Sequence, residues 1–369
     1  MTYFDYGATT PIDNDVLEAY IKASKHFFAN SSSLHFLGKE ANQMVLQATS
    51  DIMRTLGLKN HKLIYTSCAT EANNLAILGY TKASKKGRII TTCVEHASIY
   101  QTIKSLEESF DVVYLPVSNT GHINLDDLKQ AMTQDTILVS IMWVNNIVGS
   151  IMDIKQVIEI VKQFPQAKLH VDIVQGLGKI VPDFDLNDVD MFTFSTHKLY
   201  GPKGVGGLFV KHGVTLYKIF YGSEAQNGLR PGTFDTSLIV ATAKSIKKFY
   251  PLTSEHYTYV LALFNLLQDK LRSQFGIVVN TPRANVSPYV VNISIPSIKG
   301  ETIVHHLEAA KMYVSTGSAC SSKLQKPERT VLAMTNDNRL ATSSIRITLS
   351  HLTTKDEVEA LINILLQLF

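Results

Sequence analysis

Two hydrophobic patterns alternate along the chain. From residue 62 onward, short runs rich in apolar and β-branched residues are separated by stretches in which apolar residues recur every three or four positions. The first pattern predicts buried strands and the second predicts amphipathic helices. Seven strands are predicted, over residues 62–66, 88–93, 111–117, 136–144, 168–173, 189–194 and 205–210.

Helices are predicted before and between these strands. Asp13 and Asn124 are candidate N-caps, because their side chains can accept hydrogen bonds from the first backbone N–H groups of a helix. The predicted helices cover residues 13–26, 39–56, 70–83, 97–108, 125–132 and 154–164. Strands that alternate with helices indicate βαβ crossovers. We therefore predict an α/β fold, in which helices cover a mainly parallel seven-stranded sheet.

The last third of the chain follows a different order. A long helical region begins near residue 237, and Pro251 predicts a break in it. Further strands are predicted at 286–295 and 344–349, and further helices at 301–310 and 355–368. This order indicates a smaller α+β domain. We predict a large domain at residues 12–250 and a small domain made of residues 1–11 and 251–369.

Composition excludes some functions. The chain has 369 residues, a net charge of +3 and no long basic run, so direct nucleic-acid binding has no support. No apolar run is long enough to span a membrane, and the first residues do not resemble a signal peptide, so we expect a cytoplasmic protein without membrane contact. Cys68, Cys93 and Cys320 are far apart, which argues against a zinc site or a disulfide framework and fits a reducing compartment.

Polar residues follow several predicted strands, at the sheet edge where α/β proteins bind ligands. Thr70 could bind an anion at a helix N-terminus or act as an ordinary N-cap. His96 could stack on a flat ring or move protons, or be a satisfied core histidine. Asn145 and Asn146 are costly to bury unless they are hydrogen-bonded, so we expect them to face a cleft, the alternative being a turn.

The next two strand ends carry an acid and a lysine. Asp172 closes a buried strand and could face a protonated pyridine nitrogen, or cap the following turn, and Gln175 could reach a ring hydroxyl. Lys198 follows Ser195 and His197 and precedes a Gly-Pro turn. An amine at the edge of an apolar core can become neutral and bind a carbonyl as a Schiff base. Alone, Lys198 is better explained as a surface lysine, but the convergence of these groups favours a pyridoxal phosphate site.

The chain resembles the cysteine desulfurases of the class V aminotransferase superfamily, which are fold type I pyridoxal-phosphate enzymes. It is most similar to the subgroup with a Ser-Ser-Gly-Ser-Ala-Cys loop. The resemblance runs nearly from end to end and is carried by these stretches: Asp5-Tyr-Gly-Ala-Thr-Thr-Pro11, Ala69-Thr-Glu71, Glu95-His96, Val144-Asn-Asn146, His170-Val-Asp172, Gln175, Ser195-Thr-His-Lys-Leu-Tyr-Gly-Pro-Lys-Gly204, Arg230-Pro-Gly-Thr233, Ser315-Thr-Gly-Ser-Ala-Cys320 and Ser343-Ser-Ile-Arg346.

The resemblance implies a role for each matching residue. Lys198 would hold pyridoxal phosphate and move protons, Asp172 would pair with its ring nitrogen, His96 would stack on the ring, and Gln175 would bond the ring oxygen. The phosphate would be bound by Ala69, Thr70, Ser195 and His197, and by Thr233 of a neighbouring subunit. Asn146 and Arg346 would hold the carboxylate of L-cysteine.

Cys320 would then take the sulfur as a persulfide and leave alanine. It lies among small residues, where a thiol can be exposed and become a nucleophilic thiolate. The implied protein is a homodimer that passes sulfur to an acceptor protein, for iron–sulfur cluster assembly or tRNA thiolation. A related lyase or transaminase, for example one acting on selenocysteine, a desulfurase of low activity, and a non-catalytic scaffold remain as alternatives.

The chain departs from the pattern of the family at several loops. Cys68 stands where a glycine is expected before Ala69, and Ile147 stands where an acid is expected after Asn146. The loop at residues 30–33 lacks a proline, the segment 221–224 replaces a run of glycines, and Ser350 replaces a glycine. None of these changes removes a residue to which the resemblance assigns a catalytic role.

Overall fold

Residues 2–84, 86–317 and 327–368 are described by the structure, a computed structural model. Twelve strands lie within these residues: β1 Thr2–Tyr3, β2 His61–Thr66, β3 Arg88–Thr92, β4 Asp111–Leu115, β5 Thr136–Met142, β6 Lys168–Asp172, β7 Met191–Ser195, β8 Gly206–Lys211, β9 Val278–Val279, β10 Val290–Ser294, β11 Met312–Tyr313 and β12 Ser344–Thr348.

Twelve α-helices lie within the same residues: α1 Asn14–His26, α2 Phe36–Thr55, α3 Ala69–Thr81, α4 Ala97–Lys104, α5 Leu125–Ala131, α6 Ile154–Val161, α7 Thr236–Phe249, α8 Thr253–Arg272, α9 Gly300–Ala309, α10 Arg329–Thr335, α11 Asn338–Thr342 and α12 Lys355–Leu366. The predicted caps of α1 and α5 are confirmed, because Asp13 accepts from the N–H groups of Asp15 and Val16, and Asn124 from that of Asp126. Pro251 lies in the break between α7 and α8.

Seven strands form one sheet in the order β2-β8-β7-β6-β5-β3-β4. β3 to β7 pair in parallel, whereas β8 runs antiparallel to both β2 and β7. The predicted α/β class and the predicted number of strands are confirmed. Because β2, β3, β5, β6 and β7 share one direction, their carboxyl ends meet at one edge of the sheet.

Both faces of this sheet are buried. Successive residues within a strand point to opposite faces, so Ile89 and Ile90, or Phe209 and Leu208, enter different apolar clusters. The runs that the sequence shows as apolar throughout therefore correspond to strands covered by helices on both sides.

A second apolar cluster joins α8, α9 and α12 to a three-stranded sheet in the order β12-β10-β9. Phe4 is fully buried in this cluster, although it lies at the start of the chain. The backbone of Thr348 donates to the carbonyl of Phe4 at 2.7 Å, which holds the N-terminal segment along β12. The division into domains near residues 11 and 250 stays a prediction.

Some predicted bounds are wrong. α2 begins at Phe36 rather than at residue 39, because His35 caps it by accepting from the N–H of Gly38. α4 ends at Lys104, where the chain continues in turns, rather than at residue 108. α10 and α11 were not among the predicted helices. Each spans only five to seven residues, which is too short for a clear helical period.

Candidate active site

A cavity of about 200 Å³ lies at the edge of the large sheet where the carboxyl ends of the parallel strands meet. Ten residues with a predicted role line it: Ala69, Thr70, His96, Asn146, Asp172, Gln175, Ser195, His197, Lys198 and Arg346. Thr233 is not among the lining residues and is exposed in the single chain. Cys320 lies outside the described residues.

Lys198 reaches the cavity from the turn that follows β7. Its Nζ donates to the carbonyl oxygens of Gly7 and Ala8, at 2.6 and 2.5 Å. Gly7 and Ala8 also line the cavity. The stretch 5–11 carries part of the family resemblance, but these two residues have no predicted role, because a backbone carbonyl has no side-chain signature.

Asp172 ends β6 and is 7% exposed. Its Oδ1 accepts from the backbone N–H of Val174 at 2.9 Å, and its Oδ2 from Asn73 Nδ2 at 3.1 Å. Burial raises the pKa of this carboxyl, while hydrogen bonds from Val174 and Asn73 and the electrostatic influence of His96 and Lys198 oppose the rise. Asp172 therefore caps the turn and also lines the cavity, and its pairing with a ring nitrogen stays a prediction.

His96 caps α4 through its Nδ1, which accepts from the backbone N–H of Ser98 at 3.2 Å. Burial lowers the pKa of His96, so the neutral ring is favoured. Of the two predicted amides, only Asn146 lines the cavity. The prediction for Asn145 was wrong, because its Oδ1 accepts from the N–H groups of Ile147 and Val148 and holds the turn.

Ser195 lies opposite Gly206 in the pairing of β7 with β8 and lines the cavity. Its Oγ is buried and has no hydrogen-bond partner among the described residues. Ala69 and Thr70 begin α3, where backbone N–H groups lack intrahelical acceptors. A Cβ on Gly206 would lie 2.8 Å from the carbonyl carbon of Cys68, so only glycine allows β8 to pass this turn. The arrangement provides donors for an anion.

Gln175 connects two sides of the cavity. Its Nε2 donates to the carbonyl of Gly7 at 3.0 Å, and its Oε1 accepts from Lys179 Nζ at 2.9 Å. Lys179 is 5% exposed, and burial lowers its pKa to about 7, with further repulsion from Lys198 and Arg346. Lys179 is not among the predicted site residues. In the sequence, Lys179 is a lysine four residues after Gln175. That spacing is common on surface helices, so it does not distinguish a buried lysine from an exposed one.

Arg346 extends from the middle of β12 and is 1% exposed. Its Nη1 donates to the carbonyl of Asn146 at 3.0 Å, and its Nη2 to Asp5 Oδ1 at 2.9 Å. Its Nε is buried without a partner among the described residues. A buried guanidinium with unused donors suits a carboxylate ligand.

Comparison with known proteins gives the class of the chain. Residues 2–361 match the family described as Aminotransferase class-V. The chain is 36% identical over 374 residues to "Cysteine desulfurase IscS" of Dictyoglomus turgidum, covering 98% of this chain and 93% of the relative. It is 37% identical over 367 residues to a "NifS/IcsS protein homolog" of Lactobacillus delbrueckii subsp. bulgaricus, covering 98% and 95%.

Solved structures agree. A "NifS-like protein" superposes with a TM-score of 0.92 at 33% identity, over 100% of both chains. The structure titled "SspA in complex with cysteine" gives 0.81 at 28% identity, over 96% of this chain and 100% of that one. The chain belongs to the aminotransferase class-V family, in its cysteine desulfurase branch, whose members depend on pyridoxal phosphate.

The residues of the cavity fit that cofactor. Pyridoxal phosphate needs an amine for its aldehyde, an acid for its ring nitrogen and donors for its phosphate. Lys198, Asp172 and the first turn of α3 offer these groups around one cavity. The unpartnered hydroxyl of Ser195 is an available donor for a bound anion.

Proposed function

We propose that the chain is a pyridoxal-phosphate-dependent cysteine desulfurase that converts L-cysteine to L-alanine and retains the sulfur on Cys320. The observation that carries the proposal is that Lys198, Asp172 and Arg346 line one cavity, in a fold shared with proteins named cysteine desulfurases. A structure of one similar protein, SspA, is described as a complex with cysteine, which supports the choice of substrate.

Several residues would bind the cofactor. When bound, pyridoxal phosphate supplies an aldehyde that condenses with amines and a ring that withdraws electrons from the amine carbon. Asp172 would face the ring nitrogen, His96 the ring, and Gln175 the ring oxygen. The phosphate would be held by Ala69, Thr70, Ser195 and His197, and by Thr233 of a second copy. Burial lowers the pKa of His197 to about 4, so it would act as a neutral hydrogen-bonding group.

Two residues would hold the substrate, and two would carry out the chemistry. Arg346 and Asn146 would bind the carboxylate of cysteine, with the guanidinium supplying the charge. Lys198 would hold the cofactor and then move the proton at Cα of the substrate. The thiolate of Cys320 would attack the sulfur of bound cysteine, and the bond from that sulfur to Cβ would break with its electron pair staying on the carbon side. Cβ would take up a proton to become the methyl group of alanine, which would leave.

The partners follow from this chemistry. A persulfide on Cys320 would need an acceptor protein, serving iron–sulfur cluster assembly or tRNA thiolation. Thr233 is exposed in the single chain, as a homodimer that uses it in the neighbouring site would require. No helix within the described part of the chain is long and apolar enough to cross a membrane. The three separate cysteines suit a reducing compartment, and we propose the cytoplasm.

The test is turnover of L-cysteine by the purified full chain, with alanine and sulfide measured in the presence of a thiol reductant. The wild type should be yellow and release alanine. Cys320→Ala should keep the colour and lose turnover, whereas Lys198→Ala should lose the bound cofactor's absorbance as well. Cys93→Ala is the matched control, because Cys93 lies at the end of β3 and burial raises its pKa.

Two results would contradict the proposal. Turnover retained in Cys320→Ala would remove the role of Cys320. Wild-type protein that is yellow but releases no alanine from L-cysteine would favour a lyase or transaminase, and a screen of other amino acids, selenocysteine included, would identify its substrate by changes in the cofactor spectrum.

A further inference from the structure

A row of buried polar side chains runs behind the cavity from Asp172 to His96. Asn73 Nδ2 donates to Asp172 Oδ2 at 3.1 Å and to Ser98 Oγ at 2.9 Å. Ser98 Oγ lies 2.8 Å from His96 Nδ1. Asn73 is fully buried on α3 and Ser98 is 6% exposed on α4, and neither lines the cavity. The two helices therefore supply one network that joins the buried acid to the buried imidazole.

The directions of these hydrogen bonds are fixed by their chemistry. The backbone N–H of Ser98 can only donate, and it points at His96 Nδ1 at 3.2 Å, so this nitrogen carries a lone pair. A carboxylate only accepts, so the amide nitrogen of Asn73 must face Asp172. The second hydrogen on that nitrogen serves Ser98 Oγ, and because Nδ1 is an acceptor, the hydroxyl proton of Ser98 shares its lone pair with the backbone N–H. The proton of the neutral ring is then on Nε2.

The orientation of the Asn73 amide leaves one buried atom without a hydrogen bond. Asn73 Oδ1 has no hydrogen-bond partner among the described residues. The opposite orientation of the amide would give Oδ1 no donor from the carboxylate, and would place two acceptors against each other at Asp172. Both N–H groups of Asn73 are satisfied only in the orientation observed. The observed orientation therefore leaves one buried oxygen without a partner among the described residues and keeps both donors paired.

We propose that Asn73 and Ser98 are positioning residues, which hold the neutral ring of His96 with its proton on Nε2 and fix that ring relative to the carboxylate of Asp172. Neither touches the cavity, so they act through His96 and Asp172. The assignment depends on the proposed function, since a proton held on Nε2 matters only if His96 acts on a molecule bound in the cavity.

Other charges also act on the imidazole. Asp172 favours its charged form, whereas Lys198, Arg329 and Arg346 disfavour it, and burial disfavours it most. These groups are unchanged in variants of Asn73 and Ser98. A difference in the titration of His96 between such variants and the wild type therefore reports the network.

The experiment reads the imidazole directly. The full chain, purified with its cofactor and labelled with ¹⁵N-histidine, is studied by long-range proton–nitrogen NMR, with His96 assigned by its loss in His96→Asn. The wild type should show protonated Nε2 and unprotonated Nδ1 near neutral pH. In Asn73→Leu, Ser98 Oγ is no longer held as a donor and can turn to accept from Nδ1–H of the charged ring, so the pKa of His96 should rise, while the backbone N–H of Ser98 keeps Nδ1 unprotonated in the neutral ring.

The variants should also differ from the wild type in steady-state kinetics. Asn73→Leu should lower kcat about tenfold to a hundredfold, because a small displacement of a reacting group has costs on this scale. KM for L-cysteine should change less than about twofold, since Arg346 and Asn146 are untouched. Ser98→Ala keeps the backbone donor, so it should retain the tautomer and lose less kcat, and Ser98→Thr should restore it.

Asn74→Leu is the matched control. Asn74 is the next residue of α3, and its Nδ2 donates to the carbonyl of Thr70 instead. It should leave the tautomer and kcat as in the wild type.

A wild-type His96 protonated on Nδ1 would overturn the proposal, as would Asn73→Leu with wild-type titration and kcat. If Asn73→Leu does not fold or loses the cofactor, the Ser98→Ala and Ser98→Thr pair decides: unchanged kcat in Ser98→Ala overturns the proposal. Wild-type protein that releases no alanine defeats the proposed function alone, because the NMR still reads the network.

Discussion

The two halves of the cavity are built in different ways. The half at the sheet edge contributes side chains, among them His96, Asp172 and Lys198, from the ends of strands and the turns that directly follow them. The other half comes from the N-terminal segment and β12, and contributes the backbone carbonyls of Gly7 and Ala8. The first half therefore supplies the reactive side chains. The second half supplies backbone groups that hold those side chains in position.

The two halves also differ in how their buried charges are supported. Asp172 has a hydrogen bond to each oxygen, from an adjacent turn and a neighbouring helix. Arg346 depends instead on Asp5, which is 341 positions away in sequence, and its Nε has no partner among the described residues. The charge of Asp172 is therefore held within the part of the chain that builds the large sheet, whereas the charge of Arg346 is paired with a residue from the other end of the chain. Variants in the two halves should fail differently.

Asp172→Asn should have the largest effect and should affect chemistry rather than folding. The amide keeps the size of the side chain but loses the charge, and one of its two positions becomes a donor that opposes Val174 N–H or Asn73 Nδ2. We expect kcat to fall about 10²- to 10³-fold, the scale seen when one charge-stabilising group is removed. Turnover of L-cysteine and the cofactor absorbance are the measurements.

Asp190→Asn is the control for this variant. Asp190 lies next to β7, at the opposite end of the strand from the cavity, and its Oδ2 also accepts from a backbone N–H, that of Leu169. It should keep the activity of the wild type. If Asp172→Asn lost its activity only because it unfolded, the difference between the two halves would disappear.

Asp5→Asn should have a smaller effect on turnover and should mainly lower the stability of the terminal half of the cavity. Removing one partner of a buried ion pair leaves the other charge uncompensated, and Asp5 is only partly buried, so the free energy of unfolding should fall by up to about 3 kcal/mol. KM for L-cysteine should rise several-fold, because the guanidinium of Arg346 then lacks the negative charge that helps to hold it in place. Urea unfolding and steady-state kinetics measure both effects.

A surface ion pair provides the comparison for that loss. Glu18 pairs with Lys22 on α1, and both side chains are more than half exposed. Glu18→Gln should change the free energy of unfolding by less than about 0.5 kcal/mol. An equal loss in Asp5→Asn and Glu18→Gln would mean that the terminal half does not depend on this pair.

The same contrast explains what the sequence could predict. Asp172 and Lys198 follow apolar runs, so their place at one sheet edge follows from the pattern of strands and helices. Gly7 and Ala8 act through carbonyl groups, which every residue has. Asn73 lies within a predicted helix, where one polar residue resembles any other. The pairing of Asp5 with Arg346 depends on contacts between distant residues, which no local pattern contains.

The length of the connection between β7 and β8 predicts the direction of β8. Only the residues from Thr196 to Val205 separate β7 from β8. A parallel connection needs a crossover of about a dozen residues or more, usually a helix, whereas an antiparallel strand can follow a short loop. The length of this connection therefore predicts the antiparallel strand, although the apolar pattern of β8 does not.

Lys179→Met tests the link between the two halves and should have the smallest effect on turnover, a change of a few-fold. Lys179 orients the amide of Gln175, whose nitrogen donates to Gly7 in the terminal half. Burial lowers the pKa of Lys179 to about 7, against 10.5 for an ordinary lysine. Between these pH values the folded chain has released a proton that the unfolded chain keeps. The free energy of unfolding of the wild type should therefore rise as pH rises from about 7 toward 10.5.

Below about pH 7 both states of the wild type carry the proton, and the cost of burying the charge is fully present. Methionine has no charge to bury, so the wild type should be least stable relative to Lys179→Met at low pH and should recover as pH rises. Urea unfolding across this range measures the difference, with the exposed Lys59→Met expected to follow the wild type throughout. Parallel curves for the wild type and Lys179→Met would mean that Lys179 is not a buried charge, and that packing alone joins Gln175 to the terminal half.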